Sequence, residues 1–302
     1  MKYLVLIFTV FSLSINAQDY QEFEISEDKI AYKKFGNGYP VLIINGGPGM
    51  NSKGFAPLAE MLSENNTTII YDQRGTGKSE LNELNSSSIS MDLMVEDIEK
   101  LREELGYEQW IVLGHSFGGM LAYAYAAKYP EKITAMIQSH SGGLDLDILN
   151  GPSTTSRLSD MERDSLAYYS IKIREGDDSY KTALKRAEFL SAAYLYDKSL
   201  VPKIADRFTQ GNMMLNSWVW NDLQRIRFDM SAEMRSFEKP VLILNGADEA
   251  APVSLAEKAH EIFPNSKLVI MPECGHYGWL ERPDIYLKEV KSFLKRNSSF
   301  VN

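Results

Sequence analysis

The sequence is poor in cysteine, in histidine and in basic charge. A single cysteine in 302 residues, Cys274, excludes an internal disulfide and a cysteine-rich metal site. Lys and Arg number 32 against 41 Asp and Glu, a net charge of −9 with no basic block. The chain therefore lacks the electrostatic footprint of a partner for nucleic acid or anionic lipid. It has no internal repeat, low-complexity tract or proline-rich linker. A hydrophobic fraction of 44% beside a charged fraction of 24% is ordinary for a globular chain, which excludes disorder, collagen and coiled coil. The length suits one large α/β domain, or a core with a lid. The four histidines (His115, His140, His260 and His276) can each be weighed singly.

The first residues read as a targeting segment. Met1-Lys2 precedes the apolar run Tyr3–Phe11, which is too short to span a bilayer, and the segment closes on Ile15-Asn16-Ala17. This predicts a cleaved secretory signal over 1–17 and a mature chain from Gln18, with the loss of Lys2 taking the charge from −9 to −10. No cysteine follows the cut, so no lipid or membrane anchor is expected. A disulfide-free exported chain fits a bacterial periplasm or the extracellular medium.

Continuous apolar runs set the architecture. Glu22–Ile25 and Lys29–Phe35 read as two short strands joined by a polar turn. Pro40–Ile44 then has the composition of a strand buried on both faces, and similar runs return at Thr67–Tyr71, Trp110–Leu113, Ile133–Gln138, Pro240–Leu244 and Lys267–Met271. Between them, Met91, Met94, Val95, Ile98, Leu101 and Leu105 recur at helical spacing, with Gly106 as a stop. Leu255–Phe263 and Ile285–Leu294 repeat that pattern. Strands alternating with helices predict an α/β fold with a mostly parallel central sheet flanked by helices. The rhythm fails over 145–238, which is polar, helical and rich in Tyr and Trp. That stretch reads as a helical lid inserted into a core formed by 18–144 and 239–302.

Gly114-His115-Ser116-Phe117-Gly118-Gly119 is a G-x-S-x-G motif in strand–turn–helix context. Such a turn lifts the serine hydroxyl to the sheet's C-terminal edge, where it can attack if a base removes its proton and an acid orients the base. His276 follows the last strand run, in Glu273-Cys274-Gly275-His276, and is the candidate base. His260 reads as a solvated helix residue, and His115 as packed beneath the elbow. His140 could line a pocket but precedes the acid in chain order. The acid is expected in Asn245-Gly246-Ala247-Asp248-Glu249, with Asp248 preferred over Glu249. Asn45-Gly46-Gly47-Pro48-Gly49 lets the backbone approach a ligand, so Gly47 is the candidate for one oxyanion N–H and Phe117 for the other. Tyr71–Ser79 ends in Gly-Lys-Ser, but the glycine a phosphate loop requires is replaced by Asp72. Asp72 and Arg74 are expected to brace the oxyanion loop instead. Cys274 lacks an activating neighbour and reads as structural.

These residues resemble the α/β-hydrolase superfamily and, within it, the proline iminopeptidase-like serine peptidases. The likeness rests on Gly46-Gly47-Pro48-Gly49, Asp72–Ser79, Gly114–Gly119 and Gly275-His276 with Glu281-Arg282-Pro283. It implies an α/β-hydrolase fold and acyl-enzyme chemistry by Ser116, Asp248 and His276, with no metal or other cofactor. The implied activity is an aminopeptidase releasing N-terminal residues from short peptides; the alternative is a carboxylic ester hydrolase using the same triad. In such peptidases lid acids hold the substrate's free ammonium. Here the family's Trp-x-x-Trp-Glu pattern is replaced by Tyr194-Leu195-Tyr196-Asp197, which leaves Glu188 and Asp197 as the candidates. The chain also departs in having Asn45 where the family has His, and Phe117 where it often has Trp or Tyr. The expected partner is a small peptide or ester.

Overall fold

The computed structural model describes residues 19–298, so the secretory signal read over 1–17 lies outside the described residues. The eight expected strands appear as β1 (Gln21–Ile25), β2 (Asp28–Phe35), β3 (Tyr39–Ile44), β4 (Asn66–Tyr71), β5 (Trp110–His115), β6 (Ile133–Ser139), β7 (Val241–Gly246) and β8 (Ser266–Met271). They form one sheet in the order β1-β2-β4-β3-β5-β6-β7-β8. The β1–β2 and β2–β4 pairs are antiparallel, and the remaining pairs are parallel.

Alternation along the strands splits the core in two. Leu42, Ile44, Ile69, Val112 and Ile243 face one cluster. Val41, Ile43, Ile70, Leu113 and Leu244 face the other. The first cluster is covered by α2 (Met91–Glu104), α3 (Phe117–Lys128) and α9 (Ser254–Ile262), and the second by α1 (Ala56–Leu62), α10 (Gly278–Glu281) and α11 (Pro283–Asn297). Local signals set the ends of α2. Ser90 accepts a bond from the Leu93 amide at its start, and Gly106, at φ 70°, terminates it. β8 differs from the expected two-sided burial: it is an edge strand, and most of its residues are at least partly exposed.

Among the described residues no strand occurs between Ser139 and Val241. That stretch holds α4 (Asp160–Arg174), α5 (Tyr180–Ala192), α6 (Val201–Phe208), α7 (Met213–Arg225) and α8 (Ser231–Met234). It is not one detached unit. α4 buries no residue, whereas Leu215, Val219, Leu223, Phe228, Met234 and Phe237 all join the first core cluster. Leu215, Val219 and Leu223 are spaced by four, which puts an apolar stripe of α7 on the core, and Asp222 accepts the Met91 amide at 2.8 Å. The later part of the stretch read as a lid, 145–238, therefore packs directly on the core. No helix among the described residues is long and apolar enough to cross a membrane.

Candidate active site

Ser116 sits between the end of β5 and the start of α3, with φ 55° and ψ −123°. A serine in this left-handed conformation is strained and must be held by its surroundings. Its N–H donates to the Ser139 carbonyl at 3.1 Å, and its carbonyl accepts from Gly119 and Gly142 at 2.9 and 3.0 Å. Gly118 is required by close packing, since a Cβ there would lie 2.2 Å from the Ile44 carbonyl oxygen. The Ser116 hydroxyl makes no hydrogen bond among the described residues and shares a cavity wall with His276. Such a pair commonly closes only around substrate.

The carboxylate that reaches His276 is Glu249, which corrects the choice of Asp248. Glu249 Oε1 lies 2.8 Å from His276 Nδ1, and its side chain is 1% exposed. Asp248 is only half-buried, and its carboxylate makes no hydrogen bond among the described residues. The Ala247 and Asp248 amides are tied to the carbonyls of Met271 and Cys274, at 2.8 and 2.9 Å. This carries the chain one residue further before a side chain turns inward. Glu249 is also held by the Ala250 amide at 2.6 Å and by His140 Nδ1 at 2.6 Å.

His140 precedes the acid in chain order, yet it occupies the second carboxylate oxygen. The Gly278 amide donates to His140 Nε2 at 3.2 Å, so that nitrogen carries a lone pair and the proton resides on Nδ1, facing Glu249. Burial alone would raise the Glu249 pKa. The His276 charge and the bonds from both imidazoles outweigh it and hold the carboxyl well below its ordinary range. Glu249 thus stays ionised, fixing a proton on His276 Nδ1 and freeing Nε2 as an acceptor. Among the described residues His140, Glu249 and His276 form a cluster whose ligand atoms lie within 4.8 Å of one another. With both Nδ1 protons directed at the carboxylate, its bonding is that of a hydrogen-bonded relay rather than a metal ligand set.

His115 packs beneath the elbow, its ring 4.6 Å from His276 and 4.9 Å from Trp279. Neither ring nitrogen makes a hydrogen bond of normal geometry among the described residues. Burial pushes its pKa well below that of a free imidazole, and any positive charge taken up by His276 or His140, together with that of Arg207, acts in the same direction. His260 is exposed and bonds Ser266 Oγ at 2.8 Å. Burial pushes the Cys274 thiol up, which keeps it protonated and unreactive.

The Gly46-Gly47 loop crosses directly beside the nucleophile: a Cβ on Gly46 would fall 2.5 Å from Ser116 Cβ. The Gly47 and Phe117 amides make no hydrogen bond among the described residues, and both residues line the cavity. Phe117 also opens α3, where free amides and the helix dipole favour negative charge. Asp72 braces this loop by accepting the Ser52 amide and hydroxyl at 2.8 and 2.7 Å and the Lys78 amide at 2.9 Å. Arg74 does not share that task; it makes a bidentate pair with Asp97 of α2, both bonds at 2.7 Å. Gln73 braces in its place, donating to the Asn45 carbonyl at 2.9 Å.

The cavity over Ser116 has a volume of about 460 Å³ and a largely apolar wall that includes Met120, Leu190, Phe208 and Trp220. Among the described residues Arg186 and His276 are its only basic lining residues, and no Asp or Glu lines it. The two proposed ammonium ligands are elsewhere. Glu188 pairs with Lys185 at 2.6 Å, and Asp197 is exposed and accepts the Ser199 amide at 2.9 Å.

Residues 39–283 match the alpha/beta hydrolase fold family. The chain is 26% identical over 287 residues to a proline iminopeptidase of Saccharolobus solfataricus, covering 87% of each chain. It is 23% identical to a proline iminopeptidase of Heyndrickxia coagulans, covering 90% of this chain and 96% of the relative. Among solved structures, a thermophilic esterase from Thermogutta terrifontis superposes with a TM-score of 0.70 at 19% identity, covering 93% of this chain and all of that one. A meta-cleavage product hydrolase from Pseudomonas fluorescens gives 0.70 at 21% identity, covering 91% of this chain and 97% of that one. Strand order, elbow and family match converge, and the chain belongs to the α/β-hydrolase fold family.

Proposed function

We propose that this hydrolase works through an acyl-enzyme on Ser116 and that its substrate is a carboxylic ester with an apolar acyl part. The observation that carries this reading is the cavity wall, which is apolar and lacks any carboxylate among the described residues. A substrate ammonium would be desolvated there without a partner and would face the Arg186 cation. An uncharged acyl chain meets neither cost.

In this mechanism His276 Nε2 takes the proton from Ser116 Oγ as the oxygen adds to the substrate carbonyl. The Gly47 and Phe117 amides receive the oxyanion, and His276 returns the proton to the departing alkoxide. Water then repeats the cycle on the acyl-enzyme. Glu249 remains a carboxylate throughout and steadies the imidazolium, while the His140 N–H keeps the second oxygen in place.

The peptidase reading is favoured by the proline iminopeptidase relatives, so the deciding experiment compares both substrate classes. p-Nitrophenyl acetate and butyrate are set against proline and alanine arylamides, N-terminally free and N-acetylated, with Ser116→Ala as the blank. Turnover of the esters without the free-amine arylamides is expected. Turnover confined to the free-amine arylamides would overturn the ester reading and restore the aminopeptidase.

A further inference from the structure

Arg207 of α6 is a buried cation whose direct hydrogen-bond partners are neutral. Its guanidinium donates to the Gly46 carbonyl at 2.5 Å and to the Tyr277 hydroxyl at 3.1 Å, and it lies 5.0 Å from the Phe55 ring centroid. It forms no ion pair among the described residues, and its Nε is buried without a partner. Burying a charge on these terms is costly, and a neutral donor would satisfy the carbonyl at less cost. Asn45 Nδ2 already donates to the same oxygen at 3.1 Å. The fold also makes way for the arginine: a Cβ on Gly54 would lie 2.6 Å from Arg207 Cδ.

The Gly46 carbonyl and the Gly47 N–H are the two ends of one peptide group. A cation bonded to the oxygen draws electron density from the nitrogen and makes the N–H a stronger donor, by the same polarisation that strengthens chains of hydrogen bonds. That N–H makes no hydrogen bond among the described residues, and Gly47 lines the cavity together with Ser116. We propose that Arg207 is a positioning residue of the oxyanion site: it polarises the Gly46–Gly47 peptide toward the charge that develops on the substrate carbonyl. This inference rests on the acyl-enzyme reading above. It also links the inserted helices to the chemistry, because α6 must be seated against the Gly46 loop for the peptide to be polarised.

The test separates charge from packing with Arg207→Lys, Arg207→Gln and Arg207→Met. Each is assayed with whichever substrate class the wild type turns over, so failure of the ester reading leaves this test intact. A trifluoromethyl ketone, which adds Ser116 Oγ to its carbonyl and leaves an oxyanion, is compared with the matching methyl ketone, which binds without that charge. Gln and Met should lower kcat about tenfold to a hundredfold with KM within about threefold, and trifluoromethyl ketone affinity should fall by a similar factor. Methyl ketone affinity should be unchanged, and Lys should recover a large part of the loss. Equal weakening of both ketones, a loss confined to KM, or a Gln variant with wild-type kcat would overturn the proposal. So would failure of all three variants to fold, which would make Arg207 a core-building residue.

Discussion

The floor and the wall of the cavity are built differently. The floor is made where strands end: Ser116 follows β5, His140 follows β6, Glu249 follows β7 and His276 follows β8. Its orienting carboxylate is buried and held from three sides, with Glu249 taking bonds from two imidazoles and an amide. The wall contributed by the inserted helices is looser. Arg186 is half-buried, and among the described residues its side chain holds one hydrogen bond, to Ser170 Oγ at 3.2 Å. Of the large apolar side chains that remain exposed among the described residues, only Leu84 and Ile270 lie outside 145–238. A floor fixed by the sheet preserves a reaction, while a half-packed wall can change its side chains without unfolding the protein.

If the floor is a tightly specified device, replacing one carboxylate there should do far more than replacing its neighbour. Glu249→Gln should lower kcat by about 10³- to 10⁴-fold, because the amide offers an N–H where His276 Nδ1 needs an acceptor. Asp248→Asn should stay within about threefold of wild type. Steady-state kinetics of the two variants on one substrate checks this, and the reverse ranking would return the orienting role to Asp248.

That pair also marks where the sequence stops being legible. The strands could be read because β3 to β7 are buried along their length, which forces apolar runs with little local ambiguity. The elbow could be read because three glycines at fixed offsets are demanded by contact. Asp248 and Glu249 are adjacent acids in one loop, and which of them turns inward is set by amides bonded to Met271 and Cys274, partners more than twenty residues away. His140 had no motif around it; its role depends on Gly278, 138 residues on. Arg207 sits on a short helix with nothing in its local pattern to separate it from a surface arginine. Residues specified by distant backbone groups leave no spacing to read.

The same burial makes the floor sensitive to acid in a way the wall is not. His115 is held uncharged in the folded protein, with its pKa well below the ordinary value of 6.5. The unfolded chain therefore binds a proton there that the native state refuses, and stability falls as pH drops below about 6.5. The slope for this one group approaches about 1.4 kcal/mol per pH unit until its folded pKa is reached. Glu249 adds a second loss of the same sign once pH falls below its ordinary value of 4.5, because its folded pKa is also depressed. Urea midpoints from pH 7 to 4 should show both stages, and His115→Leu should flatten the stage between about pH 6.5 and 5. An unchanged slope there would remove His115 as its origin.

The smallest effect is expected in the wall. Arg186 directs its one bonded nitrogen, Nε, at Ser170 and has no carboxylate partner among the described residues, which leaves its terminal N–H groups for a ligand. A guanidinium so placed binds a substrate carboxylate in a fork of two hydrogen bonds, whereas a neutral acyl chain gains nothing from it. Arg186→Met should therefore raise KM for the p-nitrophenyl monoester of a dicarboxylic acid by about three- to tenfold. It should leave KM for p-nitrophenyl butyrate and both kcat values nearly unchanged. A matched loss on both esters would mean that Arg186 shapes the cavity by packing, and a loss in kcat would place it with the floor. Only selectivity between the two esters keeps the division of labour between sheet and inserted helices.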